Sequence, residues 1–413
     1  MSTTTLLPEA APVHATPVPV RPAGRSTPIY WLALGTFAVG TEGFMIAAIL
    51  PKIASDLKVS IQAVGQLVTI FALTYAVSSP ILTALTGAFN RRKLLLLAMA
   101  AFAGANVVAA RATGYWPLVT ARVLLAIAAG LYVPSASALA GSLVAPDRRG
   151  RALAIVLGGF SLAVALGVPL GAIIGNHFGW RMTFASVAGL GAAAFIGLLF
   201  GIPRTAGSGL SATSLRDRVA IARQPGAFPS LLVTTLWGMG GYSVYTYIAP
   251  YLIQVAGFRS EHVGYAIFLW GAAALVGLLS GGALVDRFGT RRVIATALPL
   301  TAVALISLSA SARFLGVSAA LIPVLLAILV WGASGWGFFP AQQARMIGLV
   351  GVKNAPVILS LNASFQYLGF SMGAALGSLV LTQGSVADLG WVGALCMTGA
   401  YLLFLLNTRR QAA

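Results

Sequence analysis

The sequence TALTGAFNRRK at residues 83–93 returns as GALVDRFGTRR at residues 282–292, 199 positions further along the chain. Both stretches end in a basic cluster, and long apolar runs flank both of them. The same shift matches Pro51 with Pro250, Val64-Gly65 with Val263-Gly264, Ala84-Leu85 with Ala283-Leu284, and Arg92 with Arg291. A match of this length without a gap predicts that the chain consists of two copies of one unit in the same orientation.

The apolar content of the chain indicates what this unit is. Of the 413 residues, 58% are hydrophobic and 8% are charged, whereas a soluble domain has about 45–50% apolar and about 25% charged residues. Twelve apolar runs are long enough for helices that cross a bilayer, each needing about 20 residues. The sequence therefore predicts an all-α membrane protein with twelve transmembrane helices in two six-helix repeats. The predicted spans are 29–50, 62–86, 94–111, 117–144, 152–176, 182–201, 228–254, 262–282, 293–313, 319–348, 356–382 and 391–407.

The domain organisation follows from these spans. Residues 1–28 are rich in Pro, Ala and Thr without an apolar core, which predicts a disordered cytoplasmic tail. Residues 29–201 are expected to form the N-terminal six-helix bundle and residues 228–407 the C-terminal one. A cytoplasmic linker at 202–227 would join them, and residues 408–413 would form a second cytoplasmic tail.

The distribution of basic residues predicts the orientation in the membrane. With the amino terminus inside, nineteen of the 26 Lys and Arg lie in inner segments and six in outer ones. By the positive-inside rule both termini are cytoplasmic, and we expect a monomer that crosses a bacterial inner membrane many times. The net charge of +18 thus reports topology and not nucleic-acid binding. The single cysteine, Cys396, excludes an intrachain disulfide and a Cys-based metal cluster, and no metal or cofactor is expected.

Glu42 is the one carboxylate well inside a predicted span. A charge there costs at least about 2.5–3.5 kcal/mol, and burial favours the neutral, protonated acid. Gly35 and Ala38 share its helical face, whereas Phe37 and Phe44 point the other way, so we expect Glu42 to face a cavity and to exchange protons. A purely structural carboxylate that pairs with a cation is the alternative.

Arg122 is the one cation left inside a span, and small residues at Ala126, Ala129 and Gly130 continue its helical face. At 1.5 Å per residue, Arg122 and Glu42 lie roughly 9 Å and 12 Å below the outer edge. They are therefore expected to meet or to share one vestibule, where the fixed cation would oppose protonation of Glu42. A structural ion pair is again the alternative.

Three sets of residues are candidates for gating. In span 5, the small residues Gly159, Ala163, Gly167, Gly171 and Gly175 repeat at intervals of four around Pro169, which predicts a bent helix packed closely at the interface between the halves. Helix packing alone would explain the same pattern. In the second copy of the repeat, Asp286 lies next to basic residues. This predicts ion pairs that act as a latch on the inner side and break when that side opens. The latch candidates are Asp286, Arg287, Arg291 and Arg292, with Arg91 and Arg92 in the first copy, where Gly87 replaces the acid.

A duplicated six-plus-six arrangement places a substrate path between the halves near the membrane midplane. Aromatic and amide groups within the spans are candidates to line it. They suit a mostly neutral or weakly cationic small organic molecule better than a metal ion. These candidates are Gln66, Asn106, Tyr132, Trp237, Tyr242, Tyr245, Trp270, Trp336, Asn362 and Gln366, and each is also compatible with helix packing.

These motifs resemble the major facilitator superfamily, in particular its twelve-span drug:proton antiporter branch. GALVDRFGTRR is similar to the family's loop signature, RVLLAIAAG (122–130) to its span-4 arginine motif, and LGVPLGAIIG (166–175) to its antiporter motif in span 5. Within that branch, GTEGFMIAAILP (40–51) most resembles sugar, arabinose and chloramphenicol efflux permeases. The resemblance implies roles for Glu42 and Arg122 in proton coupling and substrate binding.

The sequence thus predicts a secondary active transporter that exports a small drug-like or sugar-like molecule in exchange for protons by alternating access. A proton-coupled symporter for uptake and a non-transporting membrane sensor are the alternatives. An enzyme is not expected, because the three histidines lie in the amino-terminal segment or at span edges. ATP-driven transport is not expected either, because the chain has no Gly-Lys dipeptide and hence no P-loop.

Overall fold

The structure, a computed structural model, describes residues 27–87, 89–145, 148–204, 206 and 215–412. Helices dominate these residues, and no strand occurs among them. The helices are α1 Thr27–Leu57, α2 Ile61–Leu85, α3 Arg91–Ala110, α4 Tyr115–Ser142, α5 Arg149–Leu162, α6 Val168–Phe178, α7 Trp180–Gly201, α8 Leu215–Ala222, α9 Ala227–Tyr245, α10 Ile248–Val255, α11 Val263–Phe314, α12 Val317–Val350, α13 Ala355–Gln383 and α14 Leu389–Ala412.

The described helices account for the twelve predicted spans. Ten helical segments are long and apolar enough to cross a membrane. The longest of them, Ser260–Phe314, holds two spans, because the backbone turns at Gly289 with φ 79°, a conformation that favours glycine. The broken helix α9–α10 supplies the remaining span. The predicted fold class, an all-α membrane protein with two six-helix repeats, is confirmed.

Three boundaries differ from the sequence predictions. Helix α14 continues to Ala412, so residues 408–412 of the predicted tail are helical and continuous with the last span. The linker 202–227 contains the helix α8, which the apolar pattern did not predict. The predicted disordered tail lies outside the described residues up to position 26, and α1 already begins at Thr27.

Two spans are interrupted next to a proline. A π-helical turn at Ala163–Gly167 joins α5 to α6 just before Pro169. Helix α9 ends at Tyr245 and α10 resumes at Ile248, just before Pro250. Proline lacks an N–H and its ring clashes with the carbonyl four residues earlier, which explains why the regular ladder fails at both places.

The glycine ridges show the same packing in both halves. A Cβ on Gly159 would collide with the Ala33 carbonyl of α1, and a Cβ on Gly167 would collide with Thr41 of the same helix. In the second half, Gly369, Gly373 and Gly377 pack in the same way against the backbone of α9. The glycines of the span-5 ridge thus allow close approach to α1 within their own half, and other residues of this span form its contact with the second half.

Other surfaces join the two halves. The α6 end of span 5 packs on α11, where Gly264 faces Ala172 and Gly271 faces the carbonyl of Val164. Helix α2 packs on α13. Ser371 Oγ donates to the Thr69 carbonyl at 3.0 Å, and the rings of Tyr75 and Tyr367 stack with centroids 3.7 Å apart.

Both ends of the described chain lie on one side of the bundle. Trp31 near the start of α1 packs on Gly197 and Gly201 at the end of α7. Asn407 near the end of α14 donates to the Gly226 carbonyl at the start of α9, at 3.1 Å. We call this side, with the linker helix α8, the terminal side, and the opposite side the distal side.

The ridge packing can be tested with Gly373→Ala. The added Cβ would meet the Met239 carbonyl oxygen, so α13 must move away from α9 at a cost of about 1–3 kcal/mol. We expect a lower thermal unfolding midpoint for the purified protein in detergent. Gly189→Ala is the matched control, because nothing lies within 4 Å of its added Cβ. An equal midpoint for both variants would contradict the packing.

Candidate functional site

Glu42 and Arg122 form a salt bridge with both side chains fully buried. Helix α1 supplies the acid and α4 the base. Helix α2 holds the arginine from a third direction. Arg122 Nε donates to the Leu67 carbonyl of α2 at 3.3 Å, and the Arg122 guanidinium lies 4.1 Å from the centroid of the Phe71 ring. The two residues that the sequence placed at similar depth therefore do meet.

The pair is incompletely satisfied. Glu42 Oε2 and Arg122 Nη2 are buried and have no hydrogen-bond partner among the described residues. As long as the acid is ionised the pair carries no net charge, and each charge compensates the other in an apolar surrounding. Protonation of Glu42 would leave the Arg122 charge uncompensated, so the site has two electrostatically different states.

Aromatic side chains of the second half surround a small cavity at the interface. Five of the ten predicted substrate-facing residues line it, and the remaining lining residues were not predicted. The predicted ones are Trp237, Tyr242, Tyr245, Trp270 and Trp336, and the others are Gly238, Gly241, Trp331, Gly335 and Phe370. The cavity volume is about 20 Å³, which is room for about one water molecule. The rings are thus closed on one another, and a substrate would have to separate them.

The wall of this cavity carries no charged group, and its hydrogen-bonding side-chain groups are the indole N–H groups of four tryptophans and the hydroxyls of two tyrosines. Tyr242 stacks on Phe370 with centroids 3.7 Å apart, and Tyr245 lies 4.6 Å from Trp270. The indole Nε1 of Trp270 is buried without a partner among the described residues. The wall therefore offers ring faces and an unused donor, and no amide.

The other five predicted substrate-facing residues lie elsewhere. Tyr132 Oη donates to the Leu32 carbonyl at 3.1 Å. Asn106 Nδ2 donates to the Phe102 carbonyl of its own helix at 3.0 Å. Asn362 accepts from Thr234 Oγ at 2.7 Å within the second half. Gln66 is half-buried on α2, and Gln366 is buried on α13. None of these five lines the described cavity.

The predicted latch is not assembled in this structure. Asp286 is exposed and makes no ion pair among the described residues, and Arg291 and Arg292 are also exposed. Arg287 lies over the Phe288 ring with 5.2 Å to its centroid. Arg92 donates to the Leu199 and Ile202 carbonyls at the end of α7, while Arg91 is buried.

The span-5 gating candidates serve other contacts. Gly171 accepts a hydrogen bond from Thr183 Oγ at 3.0 Å, and Met45 of α1 would touch a Cβ placed there. Pro169 follows the π-helical turn. Gly167 packs on α1. These three residues shape the bend of the span within the first half.

An arginine of the linker helix connects the halves on the terminal side. Arg218 Nη1 donates to Ser360 Oγ of α13 at 2.8 Å, and its Nη2 donates to Thr83 Oγ of α2 at 3.2 Å. Burial lowers the pKa of Arg218, but a guanidinium stays charged at neutral pH. The sequence did not point to Arg218 as a functional residue. The signal that could have found it is the spacing in LRDRVAIA, where Arg218 and Ile221, the buried residues of α8, are three positions apart and share one helical face.

The profile of the Major Facilitator Superfamily matches residues 32–374. The chain belongs to the major facilitator superfamily. The superfamily member "Uncharacterized MFS-type transporter YbcL" of Bacillus subtilis is 35% identical over 384 residues, which is 93% of this chain and 96% of that protein. A "Chloramphenicol resistance protein" of Streptomyces lividans is 32% identical over 384 residues, 91% of this chain and 95% of that one.

Solved structures agree on the fold of this superfamily member. The crystal structure of a bacterial homologue of the human lysosomal transporter Spinster, inward-facing and occupied, has a TM-score of 0.77 at 17% identity. The alignment covers 94% of this chain and 97% of that one. The protein is thus a multi-pass membrane transporter with the major facilitator fold.

The Glu42–Arg122 pair can be tested for its contribution to stability with Arg122→Met. Removing the cation leaves a buried, uncompensated carboxylate, which costs about 3–5 kcal/mol. We expect a lower unfolding midpoint in detergent, with a larger loss at alkaline than at acidic pH because acid neutralises the carboxyl. The double variant Glu42→Gln/Arg122→Met serves as control and should recover most of the loss. Equal destabilisation of the single and double variants would argue against the pair.

The contact of Arg218 with both halves can be tested with Arg218→Ala. Spin labels at Leu85 and Val352, both exposed, report the separation of α2 and the start of α13 after Cys396 is replaced by Ala. We expect the distance distribution to shift towards longer distances, because the two hydrogen bonds across the interface are lost. Arg223→Ala, an exposed residue just after α8, is the control. An unchanged distribution in Arg218→Ala would refute a holding role for Arg218.

Proposed function

We propose that this transporter exports a small organic molecule in exchange for protons by alternating access. The observation that carries the proposal is a buried, incompletely satisfied Glu42–Arg122 pair in the first half, near an aromatic cavity that the second half lines. An ionisable pair within a membrane span is a functional hypothesis by default, because its cost must be compensated. A pair of apolar residues of similar volume would pack there without that cost.

Glu42 is the proton carrier in this proposal. The ionised acid is held by Arg122 in the closed state, and a proton that arrives from the outside neutralises it. Arg122 then carries an uncompensated charge, which is unfavourable in an apolar surrounding. The conformation that gives Arg122 access to water or to another partner becomes more populated, and the protein changes the side to which it is open.

Proton and substrate are coupled because both act on the same equilibrium. Arg122 lies within electrostatic reach of Tyr242 and Tyr367 of the second half, so the charge state of the pair is felt at the cavity wall. If the substrate favours the ionised pair, linkage requires that protonation weakens substrate binding by the same factor. A substrate is then released where the proton concentration is high.

The cavity supports a drug-like over a sugar-like substrate. A sugar needs partners for many hydroxyls, and a buried polar group without a partner costs about 1–3 kcal/mol. The predicted amides lie outside the cavity, and ring faces dominate its wall. We therefore propose a flat, largely apolar molecule with at most a single positive charge, for which aromatic faces provide stacking and cation–π contacts. Resistance to chloramphenicol in the Streptomyces relative makes that compound a suitable first probe.

The proposed setting is a bacterial inner membrane, in which the protein acts as a monomer with the terminal side in the cytoplasm. The concentration of Lys and Arg in the segments of that side supports this orientation. We retain the division into two six-helix bundles joined by the linker 202–227 as part of the proposal. Proton-coupled uptake would use the same pair, and the direction of flux separates it from export.

Glu42→Gln tests the proposal directly. Inside-out vesicles receive a pH gradient together with labelled chloramphenicol, a labelled pentose or a labelled lipophilic cation. We expect wild-type vesicles to accumulate chloramphenicol or the cation, and the variant to lose gradient-driven accumulation because its neutral amide cannot exchange a proton. Exchange of labelled for unlabelled compound without a gradient should persist.

Glu261→Gln is the matched control, because Glu261 is a partly exposed acid on the distal side that pairs with Arg259. It should transport like the wild type. Full gradient-driven accumulation by Glu42→Gln would refute proton coupling through Glu42. Accumulation only in vesicles of the opposite orientation would favour uptake.

A further inference from the structure

The ionisable pair and the aromatic cavity belong to different halves. Glu42 and Arg122 lie on α1 and α4 of the first half, whereas every residue that lines the cavity comes from the second half. A packing contact across the interface would add a mechanical link to the electrostatic one between Arg122 and Tyr242. We propose that Phe44 is this connection, a positioning residue that transmits the protonation state of Glu42 to the aromatic cavity. The inference rests on the proposed function.

Phe44 is buried and packs against four rings of the cavity wall. Its ring centroid lies 5.8 Å from that of Tyr242 and 5.9 Å from that of Tyr245. The centroids of Trp336 and Phe370 are each 6.1 Å away. Among the described residues, it is the first-half ring that touches the lining of the cavity. Any displacement of Phe44 must therefore move or release these second-half rings.

A backbone contact reinforces the link. Tyr245 Oη donates to the Phe44 carbonyl at 3.4 Å, across the interface. Tyr245 is also the last residue of α9 before the break that precedes α10. A movement of this turn of α1 would therefore act on the break between α9 and α10.

The geometry of α1 explains why Phe44 responds to Glu42. Consecutive helical residues are separated by about 100°, so Glu42 and Phe44 lie about 160° apart on opposite faces of the same turn. On one face of α1, Glu42 pairs with Arg122. Gly43, which lies between Glu42 and Phe44 in the sequence, is close to Phe71 of α2, because a Cβ placed on Gly43 would lie 3.7 Å from the Phe71 ring. When the acid is neutralised, the charge that anchors this turn to α4 is lost. The turn is then free to rotate, and the Phe44 ring moves with it.

Few other groups can produce a pH response at this site. Arg122 faces Glu42 from α4, and Tyr75, Tyr242, Tyr245 and Tyr367 approach from α2, α9 and α13. Tyrosines are neutral in the physiological range. Helices α5, α6 and α7, which also pack on α1, carry their ionisable residues near their ends. These are Arg149, Arg151, His177 and Arg181.

The tryptophans of the cavity provide a readout that needs no ligand. In the full-length protein, Trp31, Trp116, Trp180 and Trp391 are replaced by Phe, so that fluorescence reports Trp237, Trp270, Trp331 and Trp336. We expect this background to show a reversible change in emission between alkaline and acidic buffer. The change should be lost in Glu42→Gln and lost in Phe44→Leu. Phe44→Met, which keeps an apolar side chain of adaptable shape, serves as a second variant if Phe44→Leu folds poorly.

Phe338→Leu is the matched control, because Phe338 is a buried ring 5.3 Å from Trp237 that makes no ring contact with Phe44. It should retain the pH-dependent change. An unaltered change in Phe44→Leu or Phe44→Met overturns the inference, and so does its absence in the unmutated background. If Glu42→Gln loses the change while both Phe44 variants keep it, the connection through Phe44 fails and Glu42 remains the proton carrier. A change that survives in Glu42→Gln refutes the proposed function as well.

Discussion

The salt bridge between Glu42 and Arg122 is the interaction on which the rest of this protein depends. Both side chains are fully buried in a chain with only eight acidic residues, so the surrounding spans offer little to replace either partner. Three helices converge on it, because α1 and α4 supply the charges and α2 supplies a carbonyl and the Phe71 ring. A pair of this kind contributes little net stability over apolar packing. Its persistence is best understood through its two charge states, which apolar residues cannot provide.

The duplicated architecture assigns different properties to its two halves. The helices repeat in order and in packing, and the glycines of spans 5 and 11 approach the first helix of their own half in the same way. The two halves differ in their buried groups, because the charged pair lies in the first half and the aromatic cavity lies in the second half. A cavity of about 20 Å³ is too small for a drug-sized molecule, so the substrate binding proposed here would have to separate stacked rings. On the terminal side, Arg218 of the linker helix donates one hydrogen bond to α2 and one to α13, and so connects the two halves.

The sequence predicted the fold well because apolar length, basic clusters and an ungapped repeat are properties of the chain itself. It also predicted that Glu42 and Arg122 would meet or share one vestibule, since their depth follows from residue counts. The cavity was predicted only in part, because an aromatic residue in a span can either line a cavity or pack between helices. Trp237 lines the cavity, whereas Tyr132 donates a hydrogen bond to the Leu32 carbonyl of a neighbouring helix. The sequence predicted that span 5 lies at the interface, but it did not show that the glycines face α1, since small residues predict close approach without specifying the partner helix.

The central claim is that Glu42 gains and loses a proton while it is buried. Infrared difference spectra of the lipid-reconstituted protein between acidic and alkaline buffer measure this most directly, because a protonated carboxyl has its own carbonyl band. The account predicts a carboxyl band that appears on acidification in the wild type and is missing in Glu42→Gln. Identical difference spectra for the two proteins would contradict it.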